Sequence, residues 1–468
     1  MKLKAVAVYA TGTVLGAFFS LVTLPVMAWF FSQEDVGRIA LFQVVLSLAV
    51  VGLSLGLDQA YVRRFNEEQG GERLAKTCLV PGLVLLLVLV AVLACFGDRL
   101  SGLLFDLDSF ALYGLAALTL LILYLERFLS VFLRMKEMPF AYSLTRIIPK
   151  ALILGMVAAV YLFPEYKNFT YLVIAQVVGW GMAVAIMFYY LRPSLTRYFG
   201  APVDKASIST LLSFGLPLVI NGIAFWGLSF MDRIMVKAYS SLSELGVYAL
   251  ASTLAGIAIL FQQIFSTIWH PMIYRWVAEG VSVDRIVEVS EGLQVFSFVL
   301  VCIVAMFAWC VPYFLPAGYG AIEYILMACL LPPLFIMIAE ATGVGINISN
   351  ATRFAPLVTL LALLINAGLN VWLIPAHGAA GAAAASAISF YAYVVFRTEA
   401  SIRVWKYMPR LRFYFCALIV TAMACAQALA GTLLGSYSPV MWVFALVTCL
   451  IAYRHSLVAS VLYIRKFD

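Results

Sequence analysis

The chain has 468 residues, of which 64% are hydrophobic and 11% charged, with a formal net charge of +7 and a mean hydropathy of +1.02. Soluble domains carry roughly 25% charged residues, so this composition describes a polytopic membrane protein. The positive charge reads as a cytoplasmic-side excess of Lys and Arg, not as a nucleic-acid-binding surface.

The N-terminus, MKLKAVAVYATGTVLGAFFSLVTLPVMAWFF, places two lysines before about 27 apolar residues. That run is too long for a signal peptide and no small-residue cleavage site follows it, so it is read as the first span. At about 20 apolar residues per span, about fourteen transmembrane helices are predicted, an all-α polytopic fold. They start near residues 5, 38, 76, 110, 141, 169, 211, 245, 290, 321, 354, 379, 411 and 438. The connections are too short for a catalytic domain outside the membrane, which points to a transporter and away from an enzyme. With the N-terminus inside, cytoplasmic loops hold Arg63, Arg64, Arg134, Lys136, Arg192, Arg197 and Arg353, among others. The opposite loops hold only Arg38, Arg99 and Lys167 beside a larger number of acids. Both termini are therefore expected to be cytoplasmic.

The second span carries a polar stripe at helical spacing, Gln43, Ser47, Ser54 and Asp58. It lines a cavity or makes interhelical hydrogen bonds. The fourth span carries Glu126, Arg127, Ser130 and Arg134, and the fifth carries Arg146 and Lys150. Glu126 and Arg127 are sequence neighbours and point about 100° apart, so each needs a partner elsewhere. For Glu126 that is Arg146 or Lys150. Base exceeds acid here, and such a patch suits an anionic substrate such as a phosphate or pyrophosphate.

The seventh span ends in SFMDRIMVKAY. Counting up the helix puts Asp232 near the periplasmic edge, where burial is cheap, so Asp232, Arg233 and Lys237 read as a periplasmic gate or a helix anchor. In the eighth span, Ser252, Gln263, Ser266 and His270 form a second stripe. The tenth span holds Glu323 and Glu340 with no adjacent base. Glu340 is a proton-carrier candidate unless a base elsewhere pairs it. Asn366 and Asn370 share a face of the eleventh span and read as packing. Trp226, Trp269 and Trp309 are sugar-stacking candidates or interface anchors. The eight cysteines show no CxxC or Cys/His spacing and the three histidines are far apart. No disulfide framework, metal site or cofactor is expected.

The two halves repeat. DVGRIAL (35–41) recurs as ELGVYAL (244–250), and LERFLSVFLRMKEMPFA (125–141) aligns with AEATGVGINISNATRFA (339–355), setting Glu126 opposite Glu340. Six helices per half make a parallel repeat of the kind that builds transporters with a site between halves. The expected organisation is a six-helix lobe over 1–200, a second over 201–408, and two additional helices over 409–468.

Three stretches carry a family resemblance: FSQEDVGRIALFQVVLSLAVVGLSLGLDQAYVRRF, LPLVINGIAFWGLSFMDRIMVKAYSSLSELGVYALAS and NAGLNVWLIPAHGAAGAAAASAIS. They resemble the oligosaccharide (polysaccharide repeat-unit) flippases of the multidrug/oligosaccharidyl-lipid/polysaccharide exporter superfamily. The resemblance implies two lobes in a V around a central cavity. It also implies an undecaprenyl-pyrophosphate-linked oligosaccharide moved from the cytoplasmic to the periplasmic leaflet of a bacterial inner membrane, for O-antigen, capsule or exopolysaccharide synthesis. A polysaccharide polymerase or other pathway proteins are the candidate partners. No GxxxxGK[ST] motif is present, which agrees with ion- or potential-driven alternating access. The expected substrate contacts are Arg127, Arg146, Lys150, Gln43, Asp58, Gln263, His270, Trp226 and Trp269. The expected ion-coupling groups are Asp58, Glu126, Glu340 and His270. The alternatives are a cation-coupled multidrug exporter of the same superfamily and a membrane glycosyltransferase or polymerase.

Overall fold

The computed structural model describes residues 3–65, 71–351, 353–434 and 437–454. Among the described residues every regular element is helical. In chain order these are α1 (Leu3–Phe30), α2 (Gln33–Leu53), α3 (Leu57–Arg64), α4 (Glu72–Ala94), α5 (Gly97–Phe105), α6 (Phe110–Met135), α7 (Pro139–Ala159) and α8 (Phe169–Gly200). They continue as α9 (Lys205–Tyr239), α10 (Leu242–Ala255), α11 (Ile257–Ala278), α12 (Val283–Met306), α13 (Ile322–Thr342), α14 (Val344–Ile348), α15 (Phe354–Val404), α16 (Leu411–Leu434) and α17 (Ser438–Ala452).

Eleven described helices are long and apolar enough to cross a membrane, and the pair α10–α11, bent by 42°, makes a twelfth. α15 has 51 residues, roughly 75 Å at 1.5 Å per residue and more than twice a bilayer's hydrocarbon thickness. It breaks at Gly378, whose φ of 51° and ψ of −126° are not helical. Two helices in series are therefore joined there, matching the expected starts near 354 and 379. α17 has only 15 residues, which is why a count by length stops short of fourteen. The two chain termini, expected on one side, lie outside the described residues.

The two aligned segments DVGRIAL and ELGVYAL begin their helices alike. Ser32 caps α2 by accepting from the Asp35 amide at 3.1 Å, and Ser241 caps α10 by accepting from the Glu244 amide, also at 3.1 Å. Each cap satisfies one of the amides that a helix start leaves without a partner, with an acid in the first turn. The breaks that follow are not equivalent: α2 runs 21 residues before it stops and α10 only 14.

The chain forms two compact units, Met1–Trp226 and Gly227–Asp468. The expected division after residue 200 falls at the end of α8, whereas the compact units divide inside α9. The N-terminal part of α9 clusters with the first unit because Gly215 closes onto the α2–α3 break. Leu55 and Gly56 both take positive φ there, and a Cβ on Gly215 would come 2.4 Å from the Leu55 carbonyl.

In the first unit α1 lies against α7. A Cβ on Gly12 would meet the Ser143 side chain at 2.5 Å, and one on Gly16 would meet the Arg146 carbonyl at 2.6 Å. Small residues let two membrane helices approach backbone to backbone. Ser143 reinforces the contact by donating to the Val8 carbonyl at 2.7 Å. This packing fixes the face of α7 that carries Arg146 and Lys150.

Candidate functional site

Within the first unit, α2, α3, α6, α7 and α8 enclose a cavity of about 580 Å³. Six of the expected site residues line it: Gln43, Asp58, Glu126, Arg127, Arg146 and Lys150. Arg134 joins them, so four bases face two carboxylates and the cavity has a net formal charge of +2.

The charges are placed in pairs across helices. Arg127 on α6 meets Asp58 on α3 at 2.8 Å, and Asp58 is 2% exposed. Gln59 donates to the same carboxylate at 3.0 Å. Arg146 on α7 meets Glu126 on α6 at 3.3 Å, which settles the open choice for Glu126. Lys150, one turn further along α7, makes no ion pair within 4 Å among the described residues. Asp58 Oδ1 and Arg127 Nε are buried and lack a hydrogen-bond partner among the described residues. Buried polar groups are almost always satisfied, so these atoms mark capacity beyond what the pairs themselves use. The neutral side of the cavity comes from α2 and α8, where Gln43, Ser47, Gln176 and Trp180 line the wall.

Trp226 is 7% exposed and donates from Nε1 to Ser47 Oγ at 2.8 Å. It ties α9 to the stripe of α2, so its ring is held as an anchor and not offered as a sugar platform.

The remaining expected residues lie in the second unit. Glu340 accepts from Gln262 at 2.7 Å and from Ser266. No base pairs it among the described residues, as expected from its neighbours. The residue of α11 that reaches Glu340 is Gln262. Gln263, expected on that face, is exposed because adjacent residues of a helix point about 100° apart. His270 is bound through Nδ1 to the Ser266 carbonyl at 2.8 Å.

Trp269 corrects another expectation. It is 0% exposed and sits in an apolar cluster with Ile273, Trp276, Ile286, Ala341, Val344 and Met408. Phe265 stacks on it at 5.3 Å, and its Nε1 donates to the Glu340 carbonyl at 3.3 Å. Its ring faces are used in packing.

Asp232 is 1% exposed, not relieved at a water-facing edge. Its carboxylate accepts from Asn370 at 2.6 Å, from Tyr248 at 2.8 Å and from Ser386. Three neutral donors thus replace water and offset the burial cost. Asn370 also donates to Asn366 at 3.0 Å, so these asparagines belong to a buried polar network beyond simple packing. Arg233 does not pair with Asp232. Its guanidinium lies over the Phe230 ring, 5.6 Å from the centroid. Lys237 is half-buried near the end of α9.

The composition and spacing had not singled out Gln176, Trp180, Gln262, Tyr248 or Ser386. Gln176 and Trp180 carried a readable signal, since they are four apart on one helix face.

Residues 3–277, more than half of the chain, match the family described as "Polysaccharide biosynthesis protein". The chain is 22% identical over 397 residues to "Lsg locus putative protein 1" of Haemophilus influenzae, covering 81% of this chain and 94% of that protein. It is 24% identical over 386 residues to "Probable low-salt glycan biosynthesis flippase Agl15" of Haloferax volcanii, covering 77% of this chain and 76% of that protein. Among solved structures, "Lipid II flippase MurJ, inward closed conformation" superposes with a TM-score of 0.72 at 12% identity, over 100% of both chains. An inward-facing multidrug resistance MATE transporter of the MOP superfamily superposes with a TM-score of 0.54 at 14% identity, covering 87% of this chain and 95% of that one. At these identities the likeness is one of fold, a polytopic all-helical architecture.

Proposed function

Because the chain belongs to the polysaccharide biosynthesis protein family, we propose that it is a flippase that carries a lipid-linked glycan across the bilayer. The observation that carries this reading is the net-positive cavity of the first unit, set among membrane-spanning helices. Two of its arginines, Arg127 and Arg146, are each held by a carboxylate, and Lys150 makes no ion pair among the described residues. A cation in hydrocarbon is expensive and persists where it has work to do. A diphosphate is the group in a lipid-linked glycan that matches this charge, and guanidinium forks suit its oxygens.

In this reading the glycan rides on undecaprenyl pyrophosphate and moves from the cytoplasmic to the periplasmic leaflet of a bacterial inner membrane. Arg127, Arg146 and Lys150 hold the diphosphate, and Gln43 contacts the sugar. The two halves act as six-helix lobes that alternate access, with both termini cytoplasmic, and the residues after 409 form two added helices. Asp232 holds the end of α9 in place through the buried network, and Arg233 and Lys237 flank it on the same helix. A cation-coupled exporter would want the opposite sign of charge in its cavity.

Outward movement of a diphosphate is favoured by an inside-negative potential. Proton coupling would add to it, and Glu340 is the best-placed carrier. Asp58 and Glu126 are each engaged by an arginine, so protonating either would leave a half-buried cation without its carboxylate. Glu340 has only neutral partners among the described residues.

The test is alanine at Arg127, Arg146 and Lys150, singly and together, in the native host. Surface polysaccharide is expected to fall at normal protein levels, most in the triple variant. Unchanged polysaccharide in the triple variant sinks the diphosphate reading.

A further inference from the structure

The cavity of the first unit has two chemically different sides. The bases of α6 and α7 face one way, and the α2 and α8 wall is uncharged. On α8 Trp180 donates from Nε1 to Gln176 Oε1 at 3.2 Å. This bond uses the acceptor end of the amide and leaves the Nε2 end turned away from the indole. Gln176 is 4% exposed, yet it lines the cavity. Its Nε2 donates to no group among the described residues, and it is not among the polar atoms sealed off from solvent. The Nε2 donor thus opens onto the cavity with no protein partner among the described residues, so it is placed to donate to a ligand acceptor.

Trp180 supplies the second element. Its ring is half-buried, lines the same cavity, and is neither stacked by another aromatic ring nor capped by a cation among the described residues. An aromatic face is electron-rich and attracts the weakly positive C–H edge of a neighbouring group. Gln43 of α2, on the same neutral side, is exposed and adds a second amide.

We infer that Trp180 and Gln176 form a carbohydrate subsite that receives the sugar attached directly to the diphosphate. The inference rests on the flippase reading above and names a specificity element within it. A pyranose ring presents its C–H face to Trp180, and Gln176 donates to a hydroxyl or acetamido oxygen at the ring edge. The diphosphate reaches the bases across the cavity at the same time. Few polar groups on an otherwise apolar wall set orientation and specificity in such sites.

The experiment compares two ligands on the purified full chain in nanodiscs: polyprenyl diphosphate, and the same lipid carrying one N-acetylhexosamine. The wild type is expected to prefer the sugar-bearing lipid by about tenfold, the sum of one ring contact and one hydrogen bond. Trp180→Ala and Gln176→Leu bring that ratio close to one, and Trp180→Phe keeps most of it. Should Trp180→Ala fail to fold, Gln176→Leu and Trp180→Phe carry the same comparison. A preference that survives both Trp180→Ala and Gln176→Leu overturns the subsite, as does a wild type without preference. A different result marks failure of the underlying reading. If the wild type binds neither lipid, or if alanine at Arg146 and Lys150 weakens neither, the flippase assignment falls and the subsite with it.

Discussion

Arg146 on α7 lies 3.3 Å from Glu126 on α6, and that pairing leaves Lys150, one turn away on the same face, without an ion-pair partner among the described residues. The arrangement separates holding from binding. Glu126 fixes Arg146, and the Lys150 ammonium faces the cavity with its charge uncommitted. Lys150→Ala is therefore expected to leave thermal stability within about 0.5 kcal/mol of the wild type while lowering glycan transport at least tenfold. Glu126→Gln releases Arg146 and is expected to lower both stability and transport. Equal loss of stability in the two variants, read from unfolding of the purified protein, would contradict this division.

Asp58 and Arg127 offer a second test of pairing. Asp58 is buried but the Arg127 side chain is 35% exposed. Breaking the pair should cost between the surface and the buried extremes, about 1–2 kcal/mol. A double-mutant cycle of Asp58→Ala and Arg127→Ala reads the coupling directly. A coupling near zero means the two residues are not partners in the membrane.

Gly16 lies far from any charge of the cavity in sequence, yet a Cβ there would come 2.6 Å from the Arg146 carbonyl. That contact is backbone, so it cannot yield by rotating a side chain. Gly16→Val is expected to push α1 from α7, shift Arg146 and reduce transport, with every cavity charge still present. Crosslinking yield between cysteines placed on α1 and α7 should fall in parallel. Full transport with an undiminished crosslink would show that the close approach is not needed.

Asp232 was expected at a wet edge and is instead 1% exposed. Asp232→Ala strips Tyr248, Asn370 and Ser386 of a shared acceptor and is expected to cost about 1–3 kcal/mol for each donor left unsatisfied. Asp232→Asn should cost far less, since its carbonyl can face the Asn370 amide and the two hydroxyls can turn to accept from its amide. A reversed order of stability, measured by thermal unfolding, would refute the network.

The charges of α6 and α7 were legible because an ionised group in an apolar run stands out, and because Arg146 and Lys150 share a face by spacing alone. The capped starts of α2 and α10 were legible through the repeat. What stayed hidden depends on distant residues. The count of rises along α9 sets only the height of Asp232, whereas its burial is made by Tyr248 on α10 and by Asn370 and Ser386 on α15. Trp269 and Trp180 look alike in sequence, as aromatic residues in apolar helices. Only packing distinguishes them, since one is covered by Phe265 and Trp276 and the other lines the cavity. Gln262 and Gln263 are adjacent, and a one-residue error of helical phase chose the wrong one.

Glu340 tests the energy source. Gln262 and Ser266 both donate to its carboxylate, and no base balances it among the described residues. Glu340→Gln preserves volume and can keep both contacts, because its amide can donate to the Ser266 oxygen while its carbonyl accepts from Gln262. Fold and ligand binding should therefore persist. If Glu340 carries the coupling proton, the variant loses the ability to exchange it. Glycan flipping in reconstituted vesicles then becomes independent of an imposed pH gradient, although a membrane potential still accelerates it. The wild type should respond to both. A Glu340→Gln protein that keeps the full response to the pH gradient removes this residue from the coupling path and leaves the potential acting on the diphosphate charge as the drive.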